Sequence, residues 1–213
     1  MDYDRDPRTL LLLFASKLGI GLTEEVTIKA LKLVDKGLTV THILAEMLIY
    51  SYLKSRGYKN IYIEETVGNS KCDVLLIDDT YSKCIEIETN VVPIDYILES
   101  SNYIVARHVK KIIQMAKDGI ATASFAYPLG VTPLIPLELL KKPGDRSRSE
   151  IDKLFNMAIT FFNLDPEDRA YLERYALDDI YIYDIASLKV VQVKPQAVLH
   201  LLSMYDNLLS GNA

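Results

Sequence analysis

The sequence predicts an α+β protein. Helical and strand patterns come in blocks rather than in strict alternation, giving the order αααβββαβααββα. The strand candidates are short runs with period-two alternation, while the helical ones keep apolar residues three and four apart. A chain of 213 residues can bury one substantial core, so the expected organisation is a single domain, 1–213. Within it we read N-terminal helices over 1–39, a central core over 40–128 and a C-terminal α/β extension over 129–213.

Pro7 is placed to start a first helix through Leu10–Leu18, ended by Gly19 and Gly21. Thr23 caps a second, Glu24–Asp35, stopped by Gly37. A third runs from Thr41 to Arg56 and stops at Gly57. A strand follows at 59–65 and a turn at 68–70, then a hairpin of strands 72–78 and 83–88. Pro93 opens a helical region continued over 102–119, where Ile104, Val105, Val109, Ile112, Ile113 and Met115 keep helical spacing. A strand at 120–128 leads into a proline-rich loop. Helices at 149–162 and 166–176, strands at 178–184 and 188–194, and a last helix opened by Pro195 complete the chain.

Composition bounds the function. Hydrophobic content of 49% and charged content of 25% suit a soluble globular protein. The apolar run within 10–22 is too short to span a bilayer, and Asp2, Asp4 and Asp6 before it are wrong for a signal peptide. The expected address is intracellular, with no membrane partner. A net charge of −5 excludes a broad basic coat for nucleic acid but not a local basic patch. The two cysteines, Cys72 and Cys84, form no CxxC pattern, and His42, His108 and His200 show no metal-ligand spacing.

The informative stretch is KCDVLLIDDTYSKCIEIETN, residues 71–90. Cys84, Glu86 and Glu88 alternate onto one strand face. A hairpin turning through 79–82 sets Asp73 across from Glu88, Leu75 from Glu86 and Ile77 from Cys84, so three carboxylates converge. The other face carries Cys72, Val74, Leu76, Ile85 and Ile87, and no Cys72–Cys84 disulfide is expected. Like charges this close repel, and their pKa values rise unless a cation sits among them. A divalent ion, Mg²⁺ or Mn²⁺, answers that need; a solvated acidic strand face is the competing reading. Glu46 adds to the pattern, a lone acid amid Ile43, Ile49, Tyr50 and Leu53 on the preceding helix.

Asp73 followed by Glu86-Ile87-Glu88, with Glu46 on the helix before the sheet, resembles the PD-(D/E)XK nuclease superfamily, and within it the archaeal Holliday junction resolvases. The likeness covers 40–128 as an α-βββ-α-β core, and the whole chain also resembles nucleases of spindle-shaped archaeal viruses. The resemblance implies a restriction-endonuclease-like mixed sheet flanked by helices, a metal site of Glu46, Asp73 and Glu86, and a Mg²⁺- or Mn²⁺-dependent endonuclease acting on branched DNA. It also implies a homodimer, and the host cytoplasm as address for a viral chain. Two positions depart from the pattern: Cys72 stands where the family has proline, and Glu88 where it has lysine. Glu88 would then act as a base or as a second-metal ligand, with Lys111 or Lys110 reaching in from the next helix. A nuclease-fold DNA-binding module without activity is the alternative, and an acidic scaffold protein a third reading. For DNA contacts the sequence offers Arg107, His108, Lys110 and Lys111 on a helix, and Lys141, Lys142, Arg146 and Arg148 on a loop; an ordinary solvated surface is the competing reading of each run. The C-terminal hairpin and last helix are rich enough in apolar residues for a dimer surface, with completion of the chain's own core as the competing reading.

Overall fold

The computed structural model describes residues 6–18 and 23–209. Gly19 and Gly21, expected to end the first helix, lie outside these residues. A six-stranded mixed sheet, in the order β1-β2-β3-β4-β5-β6, separates two layers of helices. Its strands are β1 (Asn60–Val67), β2 (Ser70–Asp78), β3 (Tyr81–Ile87), β4 (Thr122–Pro128), β5 (Leu177–Asp184) and β6 (Lys189–Val193). The pairs β3/β4 and β4/β5 are parallel and the others antiparallel. This is an α+β fold consistent with a restriction-endonuclease-like core.

Helices α1 (Pro7–Leu18), α2 (Glu24–Asp35) and α3 (Val40–Ser55) cover one face, burying Leu11, Phe14, Ala30, Ile43, Ile49 and Leu53 against Val74, Leu76, Ile85 and Ile87. Thr23 caps α2 as expected, its hydroxyl accepting from the Val26 amide at 3.3 Å. The second face is covered by α4 (Ser100–Lys117), α5 (Leu137–Leu140), α6 (Arg148–Phe161) and α7 (Arg169–Arg174), packed on Leu75, Cys84, Phe125 and Tyr127. A 3₁₀ segment, Ile94–Glu99, precedes α4, and α8 (Pro195–Leu209) closes the described chain. Helix α5 stands within the stretch read as a proline-rich loop. Gly68 shows why β1 can turn tightly into β2. Its φ of +59° suits glycine, and an added Cβ would collide with the Asp118 carboxylate, which accepts from Ser70 Oγ at 2.6 Å.

The hairpin differs from the expected one. Its turn is two residues long, Asp79-Thr80, because Tyr81 and Ser82 continue the strand. Leu75 therefore pairs with Cys84, not Glu86, and the ladder stops at Val74–Ile85. At Asp73 the alternation breaks. Asp73 pairs with no residue of β1 or β3, and Glu64 beside it has φ +48°. Cys72 and Leu75 consequently face the same helix layer, while Val74 faces the other. A local break of this kind re-aims side chains that strict alternation would misplace.

It also overturns the expectation about the cysteines, since Cys72 and Cys84 form a disulfide, with Cα atoms 5.4 Å apart. The bond closes a loop between positions separated by 12. Its reduction should lower stability by about 3 kcal/mol, by restricting the unfolded chain less. Urea unfolding with and without reductant measures this, and unchanged midpoints would show the bond to be idle.

Arg146, expected to hold DNA, is instead a structural residue. Its guanidinium is buried and donates to the carbonyls of Glu138 (3.0 Å), Leu139 (3.3 Å), Leu172 (2.8 Å) and Tyr175 (2.8 Å). It thereby ties α5 to the C-terminal end of α7, whose last carbonyls need donors. Arg146→Ala should cost about 1.5–3 kcal/mol in urea unfolding, with DNA affinity of the folded protein unchanged.

Candidate metal centre

Helix α3 carries His42 and Glu46 one turn apart on the side facing the sheet. His42 Nε2 lies 3.1 Å from Glu46 Oε1 and 3.4 Å from Asp73 Oδ1. Glu46 is wholly buried, and neither of its carboxylate oxygens accepts a well-directed hydrogen bond. Glu64 enters from β1, its side chain 3% exposed and paired at the rim with Lys71. His42, Glu46, Glu64 and Asp73 thus offer ligand atoms that all lie within 4.8 Å of one another.

Asp73 links this cluster to a second one. Its Oδ2 accepts the Ile87 amide at 2.6 Å, in the gap where β2 and β3 have parted. On the other side of the sheet Glu86 and Glu88 are both buried. Lys111 of α4 pairs with Glu86 and lies 3.3 Å from Glu88, and Arg107 holds Glu88 from one turn earlier. Of the residues singled out in the sequence, Glu46, Asp73, Glu86, Glu88 and Lys111 are brought to this one region. Within it, Asp73 lies with Glu46, and Glu86 with Lys111.

The charges explain one another. Burial, then the charges of Asp73 and Glu64, lift Glu46 to about 8 against the hydrogen bond from His42. Burial opposes a charged imidazole, yet hydrogen bonds and charge from Asp73 and Glu46 outweigh it and raise His42 to about 10. Burial and Asp73 raise Glu86 to about 7, with Lys111 pulling the other way. Burial would raise Asp73 too, but His42, Lys111 and the Ile87 amide hold it below its ordinary value. Burial likewise works against the Lys111 charge, which Glu86, Glu88 and Asp73 more than restore.

A pH dependence follows. From its usual 4.5 up to about 8, Glu46 keeps a proton in the fold that the unfolded chain has released. His42 does the same from 6.5 to about 10, and Glu86 from 4.5 to about 7. All three contributions are fully present in acid and are lost as pH rises. Asp73 runs the opposite way, but only below its usual 3.8, and His108, lowered to about 4, opposes Glu46 and Glu86 only up to about 6.5. Thermal unfolding in chelator should therefore show a melting temperature that falls from pH 5 to pH 9, and a rise would contradict these assignments.

The other predicted contacts separate. His108 is not a surface residue: it is fully buried, with Nε2 2.9 Å from the Tyr127 hydroxyl and its pKa lowered to about 4 by burial. Lys110 lies over the Phe162 ring, 4.8 Å from its centre. Lys141 pairs with Glu138, and Arg148 is exposed beside Glu173. Lys83 pairs with Asp178 and Asp179 at the start of β5.

Sequence reasoning missed His42 and Glu64. The signal for His42 was present, an imidazole four residues before the lone acid of an apolar helix. Glu64 had none, because its direction depends on a left-handed backbone that the strand pattern does not reveal.

No family model matches the chain, and no curated protein matches its sequence. Among solved structures it is similar to the structure of Pyrococcus furiosus SfsA in complex with Ca²⁺, at 16% identity and a TM-score of 0.33 over 72% of this chain. The match spans 63% of that protein's length, and at this likeness no residue role passes from it to this chain. No helix among the described residues is long and apolar enough to cross a membrane.

Proposed function

We propose that the protein is a metal-dependent DNA endonuclease that hydrolyses phosphodiester bonds, with branched DNA as its first substrate to test. Glu46 carries this reading. A wholly buried carboxylate whose close polar partner is the His42 imidazole, grouped with two further carboxylates, presents a divalent ion with a ligand set in which the ion would replace the His42 proton. The donor set fits a divalent ion, held by His42, Glu46, Glu64 and Asp73. The imidazole nitrogen tilts the choice from Mg²⁺ toward Mn²⁺. When bound, the ion would supply positive charge to polarise a phosphodiester and to stabilise the leaving oxygen.

The chain's own residues supply the rest. Asp73 reaches across the parted strands, so that the ion-binding group and the Lys111–Glu86 pair share one carboxylate neighbour. Glu86, raised to about 7, is poised to take a proton from an attacking water near neutral pH. Lys111 stays charged and lies 3.3 Å from Glu88, the position at which the resembled pattern has lysine, while Arg107 fixes Glu88. Cleavage of four-way-junction and linear DNA with Mn²⁺ and Mg²⁺ tests the reading, alongside calorimetry of each ion. Ion binding without cutting would favour the inactive DNA-binding module, a reading that Glu88 at the lysine position supports. Dimerisation belongs to the same proposal: Val191 of β6 and Leu201, Leu202 and Met204 of α8 leave apolar surface exposed. Light scattering should then give twice the 24.1 kDa chain mass.

A further inference from the structure

We propose that the groove between α2 and the β1–β2 edge is the track on which a DNA strand is held as it enters the metal centre. The inference rests on the endonuclease reading and adds to it the surface that binds the substrate. The groove has a volume of about 770 Å³, and Glu64 lines both it and the four-residue centre. A ligand lying in the groove therefore touches the rim of the site.

Its charge is local and unlike that of the chain, which is −5 overall. Lys29, Lys32 and Lys36 recur at spacings of three and four, forming one stripe along α2 that lines the groove. At 1.5 Å per residue they span ~10 Å, roughly three nucleotide rises of one B-form strand. Lys71 faces them from β2, 55% exposed and paired with Glu64. Lys29 is held 2.9 Å from Glu65, but Lys32 and Lys36 are exposed and form no ion pair among the described residues. Glu24 and Glu25 line the same groove from the first turn of α2. They repel phosphate there and confine the backbone to the half that carries Lys32 and Lys36. Ile28, 45% exposed, gives the floor apolar surface for sugar or base.

The other basic groups near the centre are already committed. Lys111 and Arg107 serve Glu86 and Glu88. Among the described residues, the cations placed to reach a phosphate beside Glu64 without breaking a buried pair are those of the α2 stripe.

The test is fluorescence anisotropy with a labelled four-way junction in chelator, comparing the parent with Lys32→Glu/Lys36→Glu and with Arg148→Glu on the far basic run. The α2 double variant should lose about tenfold or more in affinity, and its log-affinity against log-salt slope should fall by about 2, one for each lost phosphate contact. Arg148→Glu should change little, and Mn²⁺ affinity by calorimetry should stay the same in both. Parent-like affinity and slope in the double variant would overturn the groove while leaving the endonuclease reading in place. Equal losses in Arg148→Glu, or loss of Mn²⁺ binding in the double variant, would overturn it too, pointing to general charge or to collapse of the centre. A parent that binds no DNA would overturn both.

Discussion

Asp73→Ala should abolish divalent-ion binding and DNA cleavage together, and should lower the stability of the metal-free protein by about 1–3 kcal/mol. The first effect follows from position. Asp73 touches the His42–Glu46 pair through one oxygen and occupies the parted strands through the other, so no neighbour can replace it. The second reverses what repulsion among bare carboxylates would suggest. Asp73 is the acid held ionised here, while Glu46 and Glu86 are raised toward their neutral forms, which leaves little repulsion to relieve near neutral pH. Removing it strips the Ile87 amide of its acceptor and His42 of a partner. Asp73→Asn separates the two effects, because an amide oxygen can still accept from Ile87 but cannot supply the charge. Mn²⁺ calorimetry and urea unfolding in chelator read them independently. An Asp73→Ala protein that binds Mn²⁺ like the parent would remove Asp73 from the centre.

Much of this architecture is legible in the sequence, because the informative signals are local. Thr23 before an apolar periodic run, Gly57 after one, and Pro195 opening the last helix each act within a turn of backbone. The embedded Glu46 could be found because an acid in an apolar helical arc is costly wherever it occurs. What could not be read depends on register. A hairpin turn two residues shorter than expected moves Asp73 from Glu88 toward Glu86, and period-two counting cannot detect that, because both pairings keep the same faces. The break at Glu64 and Asp73 does change faces, and it alone converts Cys72 and Cys84 from opposed residues into a disulfide. Two members of the basic runs were misjudged for another reason. A sequence shows that His108 and Arg146 can bear charge, but not that a tyrosine hydroxyl and four backbone carbonyls have already claimed them.

Lys111→Met should reduce cleavage by roughly 10²–10⁴-fold, the range for loss of a group acting on proton transfer. It should also destabilise the fold by about 3–5 kcal/mol, because a buried charge pair is broken from one side. Lys111 lies between Glu86 and Glu88, and both carboxylates are buried. Without it Glu86 loses its main counter-charge and rises further, so whatever activity remains should move to higher pH. A merely structural lysine would not produce that alkaline shift. The same geometry decides the fate of Glu88, where the nuclease pattern that the sequence resembles has lysine. Three unpaired carboxylates would welcome a lysine at this position, yet Glu88 already pairs with Arg107 and faces Lys111. Glu88→Lys would place three cations together and should be destabilising and inactive. Exchanging the charges, Glu88→Lys with Lys111→Glu, keeps one lysine and two acids in the same space. The double variant should therefore recover stability over either single one, together with part of the cleavage that both have lost. Coupling of this kind is read from a double-mutant cycle in urea unfolding and in single-turnover cleavage. If the two substitutions simply add, Lys111 and Glu88 do not act on one another, and the water-activating role falls to Glu86 alone.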